Sequence, residues 1–362
     1  MLAVFSAVGL QAAELTVRWN DNSSDETGFR IERSTDGDTF TEVATVAANV
    51  TVYVDTGLSA TTTYWYRIQA YNATGTSAFS NVAGCRPAPD TISDSATAPA
   101  GRLVNLSVRA VPGQGEQTLI VGFIVAGASK SILLRGVGPS LAAYTTAPVF
   151  SDPTLKIQAG DLPILSNDNW GGTDLLKDVF GRVGAFPLAD ASRDAVLFSD
   201  FAAGGYTALV GGAGSGLVLA EIYDADVTSD PPGRLANISA RAVAGTGDSV
   251  LIVGFVIGGN APMHVLVRAV GPTLANYGVT DALADPQLEL FRRGVQWDHN
   301  DNWEGDARLE SAFDAAGAAA WPNPSSKDAA LTALLPPGAY TAVVSGRNGA
   351  SGVALAEVYE LR

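Results

Sequence analysis

Two polar turns carry the residue types best suited to hold a ligand. Asn167-Asp168-Asn169-Trp170 returns as Asn300-Asp301-Asn302-Trp303. Calcium gathers roughly six to eight oxygens from carboxylates, amide carbonyls and backbone. Asp168 and Asn169, joined by Asp194 further along, offer that donor chemistry; Asp301, Asn302 and Asp328 repeat it. The competing reading is a turn whose Asn and Asp side chains cap backbone amides and the helix that follows. Neither copy matches an EF-hand loop.

Trp170 and Trp303, with Trp297 and Trp321, could form an aromatic platform for a sugar. A tryptophan after a turn can equally close one end of a sandwich core. Arg109, Arg135, Arg241 and Arg268 lie inside apolar stretches, as do Glu221 and Glu357. A buried charge is costly unless paired. Glu221 is therefore expected to meet Arg135 or Arg109, and Glu357 to meet Arg268 or Arg241, as structural ion pairs. No nucleophile or second carboxylate recurs beside them, so catalytic residues are expected to be none and the protein not an enzyme. Cys85 is the single cysteine, which excludes an intrachain disulfide and a thiolate metal cage. The histidines, His264 and His299, stand in no catalytic motif. Gly136-Val-Gly138 and the glycines of 211–216 lack the Lys-Ser/Thr of a phosphate loop and read as turns.

The elements that must position these groups are written twice. Arg102-Leu-Val-Asn-Leu-Ser-Val-Arg109-Ala110 returns as Arg234-Leu-Ala-Asn-Ile-Ser-Ala-Arg241-Ala242, an offset of 234 − 102 = 132. Leu119-Ile-Val-Gly-Phe123 answers Leu251-Ile-Val-Gly-Phe255 at the same offset. Later pieces drift: Ala220-Glu221-Ile-Tyr223 answers Ala356-Glu357-Val-Tyr359 at 357 − 221 = 136. The drift marks single-residue insertions, which belong in loops. Each copy reads as about seven strands and one short helix, a jelly-roll-like β-sandwich. The helical spacing falls on Leu175, Leu176, Val179 and Phe180 in one copy and on Leu309 and Phe313 in the other.

Residues 14–83 have a different pattern. Leu15-Thr-Val-Arg-Trp19 alternates into a core tryptophan, and Phe29-Arg-Ile-Glu-Arg33 alternates after a polar loop. Leu58-Ser-Ala-Thr-Thr-Thr-Tyr64 has the form of a tyrosine corner, and Tyr64 to Tyr71 makes the next long strand. This segment resembles a fibronectin type III domain. The resemblance implies a β-sandwich spacer or ligand-binding module. The later half of each repeat, Ser166-Asn-Asp-Asn169 with Gly205-Tyr-Thr207 and Asn300-Asp-Asn302 with Pro337-Gly-Ala-Tyr-Thr341, loosely resembles bacterial pre-peptidase C-terminal domains. Those are secreted sandwiches appended to hydrolases, some of which bind calcium or polymers. The opening half of each repeat looks more like an uncharacterised repeat of large secreted bacterial proteins.

The expected fold is all-β: three sandwich domains in tandem. They are a fibronectin type III domain over 1–86, a Pro-rich linker over 87–100, and repeats over 101–228 and 229–362. Phe5 to Leu10 is expected to form a first strand, so that a signal peptide is absent or truncated in this chain. No apolar run reaches the roughly 18 residues of a membrane span. A formal charge of −15 argues against nucleic-acid phosphates as partners. The expected role is adhesion, structure or polymer contact at a bacterial surface or in a secreted protein, with other domains of a longer polypeptide as further partners. Its partners would be an extracellular polymer or surface protein. The alternative is a calcium-dependent carbohydrate-binding module; no other cofactor is expected.

Overall fold

Period-two burial sets the strands: Leu106, Val108 and Ala110 are buried on one face, while Asn105, Ser107 and Arg109 stand half-buried on the other, and a register shift before Asn105 brings Leu103 back into the core. The computed structural model describes residues 13–59, 62–85, 101–113, 117–213, 215–226 and 233–362. The expected strand at Phe5–Leu10 and the linker 87–100 lie outside the described residues. The chain divides into two units, Met1–Thr97 and Ala98–Arg362.

The first unit has strands β1 (Ala13–Arg18), β2 (Gly28–Ser34), β3 (Thr41–Ala47), β4 (Val52–Leu58), β5 (Tyr64–Asn72), β6 (Gly75–Thr76) and β7 (Ala83–Cys85). β1 pairs with β4 as one sheet, and β3-β2-β5 with β6 and β7 form the other. Phe29, Ile31, Leu58, Tyr64, Tyr66 and Ile68 fill the space between them, with Trp19 packed alongside. The Tyr64 hydroxyl accepts from the Ser59 N–H at 2.9 Å, which makes the tyrosine corner.

In the second unit the first copy supplies β8 (Arg102–Ala110), β9 (Leu119–Gly127), β10 (Lys130–Val137), β11 (Asp152–Ala159), β12 (Leu162–Asn167), α1 (Asp174–Val183), β13 (Ala195–Phe201), β14 (Gly204–Ala213) and β15 (Val218–Asp224). The second copy supplies β16 (Gly233–Ala244), β17 (Leu251–Gly258), β18 (Met263–Val270), β19 (Pro286–Arg292), β20 (Val295–Asn300), α2 (Ala307–Ala316), β21 (Ala329–Leu335), β22 (Gly338–Gly346) and β23 (Gly352–Leu361). Both helices stop at a glycine in the left-handed region, Gly184 and Gly317, where a side chain would be strained. Val179 and Phe180 of α1 pack on Leu133 and Val137 of β10, and Phe313 of α2 on Leu266 and Val270 of β18. Leu175, expected on the apolar face, is exposed.

The sheets do not respect the repeat boundary. One path runs β13-β10-β15-β8-β17-β22-β19-β20, and the other β21-β18-β23-β16-β9-β14-β11-β12. Each joins four strands of one copy to four of the other, all antiparallel. β8 lies between β15 of its own copy and β17 of the second; β16 lies between β23 and the first copy's β9. The pairings are reciprocal. Gly122 opposes Ser239 and Gly254 opposes Ser107; Ile120 opposes Arg241 and Ile252 opposes Arg109. Leu103 pairs with its own counterpart Leu235, which places that pair at the pseudo-two-fold axis. The expectation of two repeats in tandem therefore meets one compact unit with interlocked sheets. Gly136, on the inner face of β10, would meet Val210 of β14 if it carried a Cβ, so the two sheets pack closely face to face.

Candidate functional site

The strongest concentration of buried charge lies where α1 and α2 cover the outer face of each sheet. Arg135 on β10 sits opposite Glu221 on β15, which sits opposite Ser107 on β8. The Arg135 Nε donates to Glu221 Oε2 at 2.8 Å, and Nη1 donates to the Phe186 carbonyl at 2.7 Å. Tyr223, two residues along the same strand face, donates its hydroxyl to Glu221 Oε1 at 2.6 Å. The guanidinium also lies 4.9 Å from the Phe180 ring centroid and 4.3 Å from that of Phe186.

The second copy repeats the arrangement. Arg268 Nε lies 2.9 Å from Glu357 Oε2, Arg268 Nη1 donates to the Ala319 carbonyl at 2.7 Å, and Tyr359 donates to Glu357 Oε1 at 2.8 Å. Phe313 and Trp321 supply the rings, at 4.6 and 4.5 Å. Burial pushes both tyrosine hydroxyls well above their ordinary pKa, and the adjacent carboxylates push them further. They stay protonated and remain donors. Each carboxylate is thus held by a cation and a hydroxyl, as a buried ion pair requires.

These centres hold together what the sequence left open between two arginines per glutamate. Arg135 and Arg268 meet the glutamates. Arg109 and Arg241 stand half-buried at the junction of the copies, opposite Ile252 and Ile120. The tyrosines are the partners that sequence reasoning missed; the Glu-x-Tyr spacing in both copies, which puts both side chains on one strand face, was the available signal.

A second recurring cluster surrounds Asp194 and Asp328, both fully buried. Asp194 Oδ1 accepts from the Gly138 N–H at 2.8 Å, and its Oδ2 accepts from the Ser140 and Ser192 hydroxyls. Asp328 Oδ1 accepts from the Gly271 N–H at 2.7 Å, while Oδ2 accepts from the Thr273 hydroxyl at 2.5 Å and from the Ser326 hydroxyl. The backbone carbonyls of these aspartates accept from the Trp170 and Trp303 N–H groups. Each aspartate therefore clasps the Gly-Pro turn, a Ser-x-Asp segment and the Asn-Asp-Asn-Trp turn.

This corrects the expected ligand set. The Asp194 and Asp328 carboxylates face backbone and hydroxyl donors, which fill the oxygens a cation would need. Asp168 and Asn169 are exposed, and Asp301 is paired with Arg347 at 2.6 Å. The Asn302 backbone carbonyl accepts from the Asn300 side chain at 3.1 Å, while the Asn302 Oδ1 is buried with no hydrogen-bond partner among the described residues. Asn167 and Asn300 accept from the Val196 and Ala330 N–H groups, the behaviour of Asx-stapled turns. Among the described residues no group of three or more His, Cys, Asp or Glu side chains is placed to hold a metal ion.

The proposed aromatic platform is also overturned. Trp170, Trp297, Trp303 and Trp321 are only 2–4% exposed. Trp170 packs on Phe180, Trp303 on Phe313 and Trp321, and Trp297 edge-on against Tyr340. Large aromatic area gains most from burial, and α1 and α2 supply the cover for three of them.

One further buried charge belongs to the first copy alone. Lys130 is 1% exposed, and its Nζ lies 2.6 Å from Asp226 Oδ2, 2.9 Å from Asp224 Oδ2 and 3.0 Å from the Gly233 carbonyl. Met263 holds the equivalent strand position at the start of β18.

Residues 4–86 match the fibronectin type III domain family. The N-terminal unit is a fibronectin type III domain. No curated protein matches the chain. Among solved structures, the FN1–FN3 domains of chicken CNTN1 share 9% identity at a TM-score of 0.19, covering 93% of this chain and 90% of that one. PNGF-II shares 8% at 0.21, covering 97% and 99%. The M60 catalytic domain with the CBM51-1 and CBM51-2 domains of Clostridium perfringens ZmpB shares 8% at 0.16, covering 100% of this chain and 56% of that chain. None of these scores reaches the level of a shared overall fold.

Proposed function

We propose that this chain is a non-catalytic scaffold of a secreted or surface-attached bacterial protein, a fibronectin type III domain followed by one doubled β unit that makes adhesive or polymer contacts. The observation that carries this reading is where the recurring polar groups are used. The Arg135–Glu221–Tyr223 and Arg268–Glu357–Tyr359 centres and the Asp194 and Asp328 clasps are buried and paired with groups of the chain itself. Groups placed in this way set geometry and stability; a catalytic acid or base needs reach to a substrate. Fibronectin type III domains suit spacer and binding roles, and the charge of −15 suits a soluble acidic surface. In this reading the fold needs no metal, because the Asp194 and Asp328 carboxylates are filled by protein donors.

The test is a pelleting assay with insoluble cell-wall and plant polysaccharides, run beside a time course of released sugar. Binding to at least one polymer with no soluble product is expected, and melting curves in calcium and in chelator should superimpose. Soluble product that accumulates with time, and with protein concentration, would overturn the reading.

A further inference from the structure

The two sheet junctions are built from the pieces of sequence that repeat at one fixed offset. β8 and β16 carry the Arg-Leu-x-Asn-x-Ser-x-Arg stretch, β9 and β17 the Leu-Ile-Val-Gly-Phe stretch, all at an offset of 132. Taken alone, one copy leaves two strand edges without partners: β8 on the side away from β15, and β9 on the side away from β14. In the chain β17 occupies the first and β16 the second, over Gly233–Arg241 against Ile120–Gly127 and Ile252–Gly258 against Arg102–Arg109.

β8 and β16 each carry two arginines, Arg102 with Arg109 and Arg234 with Arg241, but the β9 and β17 edges have no such guard. β9 and β17 contain no charge and no proline; of the outer strands of this unit, β12, β13 and β20 contain Pro163, Asp200 and Asp298, while β21 has neither. The pairing also has side-chain complementarity. A Cβ on Gly122 would lie 2.5 Å from the Ser239 Oγ, so the glycine makes room for the other copy's serine.

We propose that the β8/β9 and β16/β17 edges form a recognition surface whose partner is another copy of the same repeat, and that this surface holds the two copies together without the peptide that links them. The reciprocity about Leu103–Leu235 is what an isologous dimer interface would show. The doubled unit is then a dimer of repeats written into one chain.

The experiment introduces a protease cleavage sequence within residues 227–232 of the full chain and cuts it. Size-exclusion chromatography in high salt, after dilution, reads the result. Co-elution of the two fragments at the size of uncut protein is expected, with separation only in denaturant. Fragments that separate in native buffer overturn the proposal. In the cut chain, Gly122→Val should cause loss of co-elution, whereas Leu162→Ala on the outer edge of β12 should not. Co-elution that survives Gly122→Val would also overturn it, since the pairing edge would then not be what holds the copies. The cut wild-type chain decides the matter even where Gly122→Val fails to fold.

Discussion

In the first copy the Arg135 guanidinium lies against Phe180 and Phe186; in the second, Arg268 lies against Phe313 and Trp321. The cation, the glutamate, the tyrosine and the accepting carbonyl are common to both, while the covering ring changes. Trp170 donates its indole N–H to the Ala189 carbonyl and the Ser192 hydroxyl, but the Trp303 indole N–H has no hydrogen-bond partner among the described residues. Lys130 closes the end of the first copy on two aspartates, where the second copy has Met263. The contrast separates two kinds of constraint. A buried charge fixes its partners, because leaving either one alone is costly. A ring or methyl group only has to fill volume, which several side chains can do.

The largest expected effect tests the part the copies share. Arg135→Ala and Arg268→Ala should each cost about 3–5 kcal/mol, since each leaves a buried glutamate without its cation. Denaturant unfolding of the two variants should agree to within about 1 kcal/mol, and the half-buried Arg109→Ala should cost well under either. A large gap between Arg135→Ala and Arg268→Ala would break the equivalence of the two centres.

Lys130→Met places the second copy's residue in the first. It leaves Asp226 without its ammonium and Asp224 with only Arg102, 3.7 Å away, and a loss of about 3 kcal/mol is expected by the same measurement. A neutral outcome would mean that the lysine contributes little net stability and that the asymmetry between copies is cosmetic.

The smallest effect sharpens the comparison. Trp170→Phe removes a donor from two acceptors; Trp303→Phe removes an indole N–H that has no partner among the described residues. The first should be more destabilising than the second by about 1 kcal/mol, read as a difference in unfolding free energy. Equal losses would show that packing alone sets the role of both tryptophans.

Much of this was legible along the chain because it is local. Alternation gave the strands, and Asn167 and Asn300 acted as turn residues. Glu221 and Glu357 demanded cations because they lie in apolar strands. Asp194 and Asp328 stayed open between ligand and cap because acceptors for a metal and acceptors for serine hydroxyls are the same atoms. Only the folded neighbourhood of Ser140, Ser192, Thr273 and Ser326 distinguishes the two uses. The tryptophans stayed open between platform and core for the same reason: their type does not say which surface will cover them.

What the sequence by itself determined was a pair of equivalent copies, each with its strands, its turns and one charge that had to be paired. What only the tertiary structure decided was which copy each edge strand would join. β8 meets β17, and β16 meets β9, across the repeat boundary. Two copies of one sequence present the same backbone donors, the same apolar alternation and the same glycine to a given edge. Pairing within a copy and pairing between copies therefore look alike in one dimension, and the choice is made by how the sheets close on each other in three.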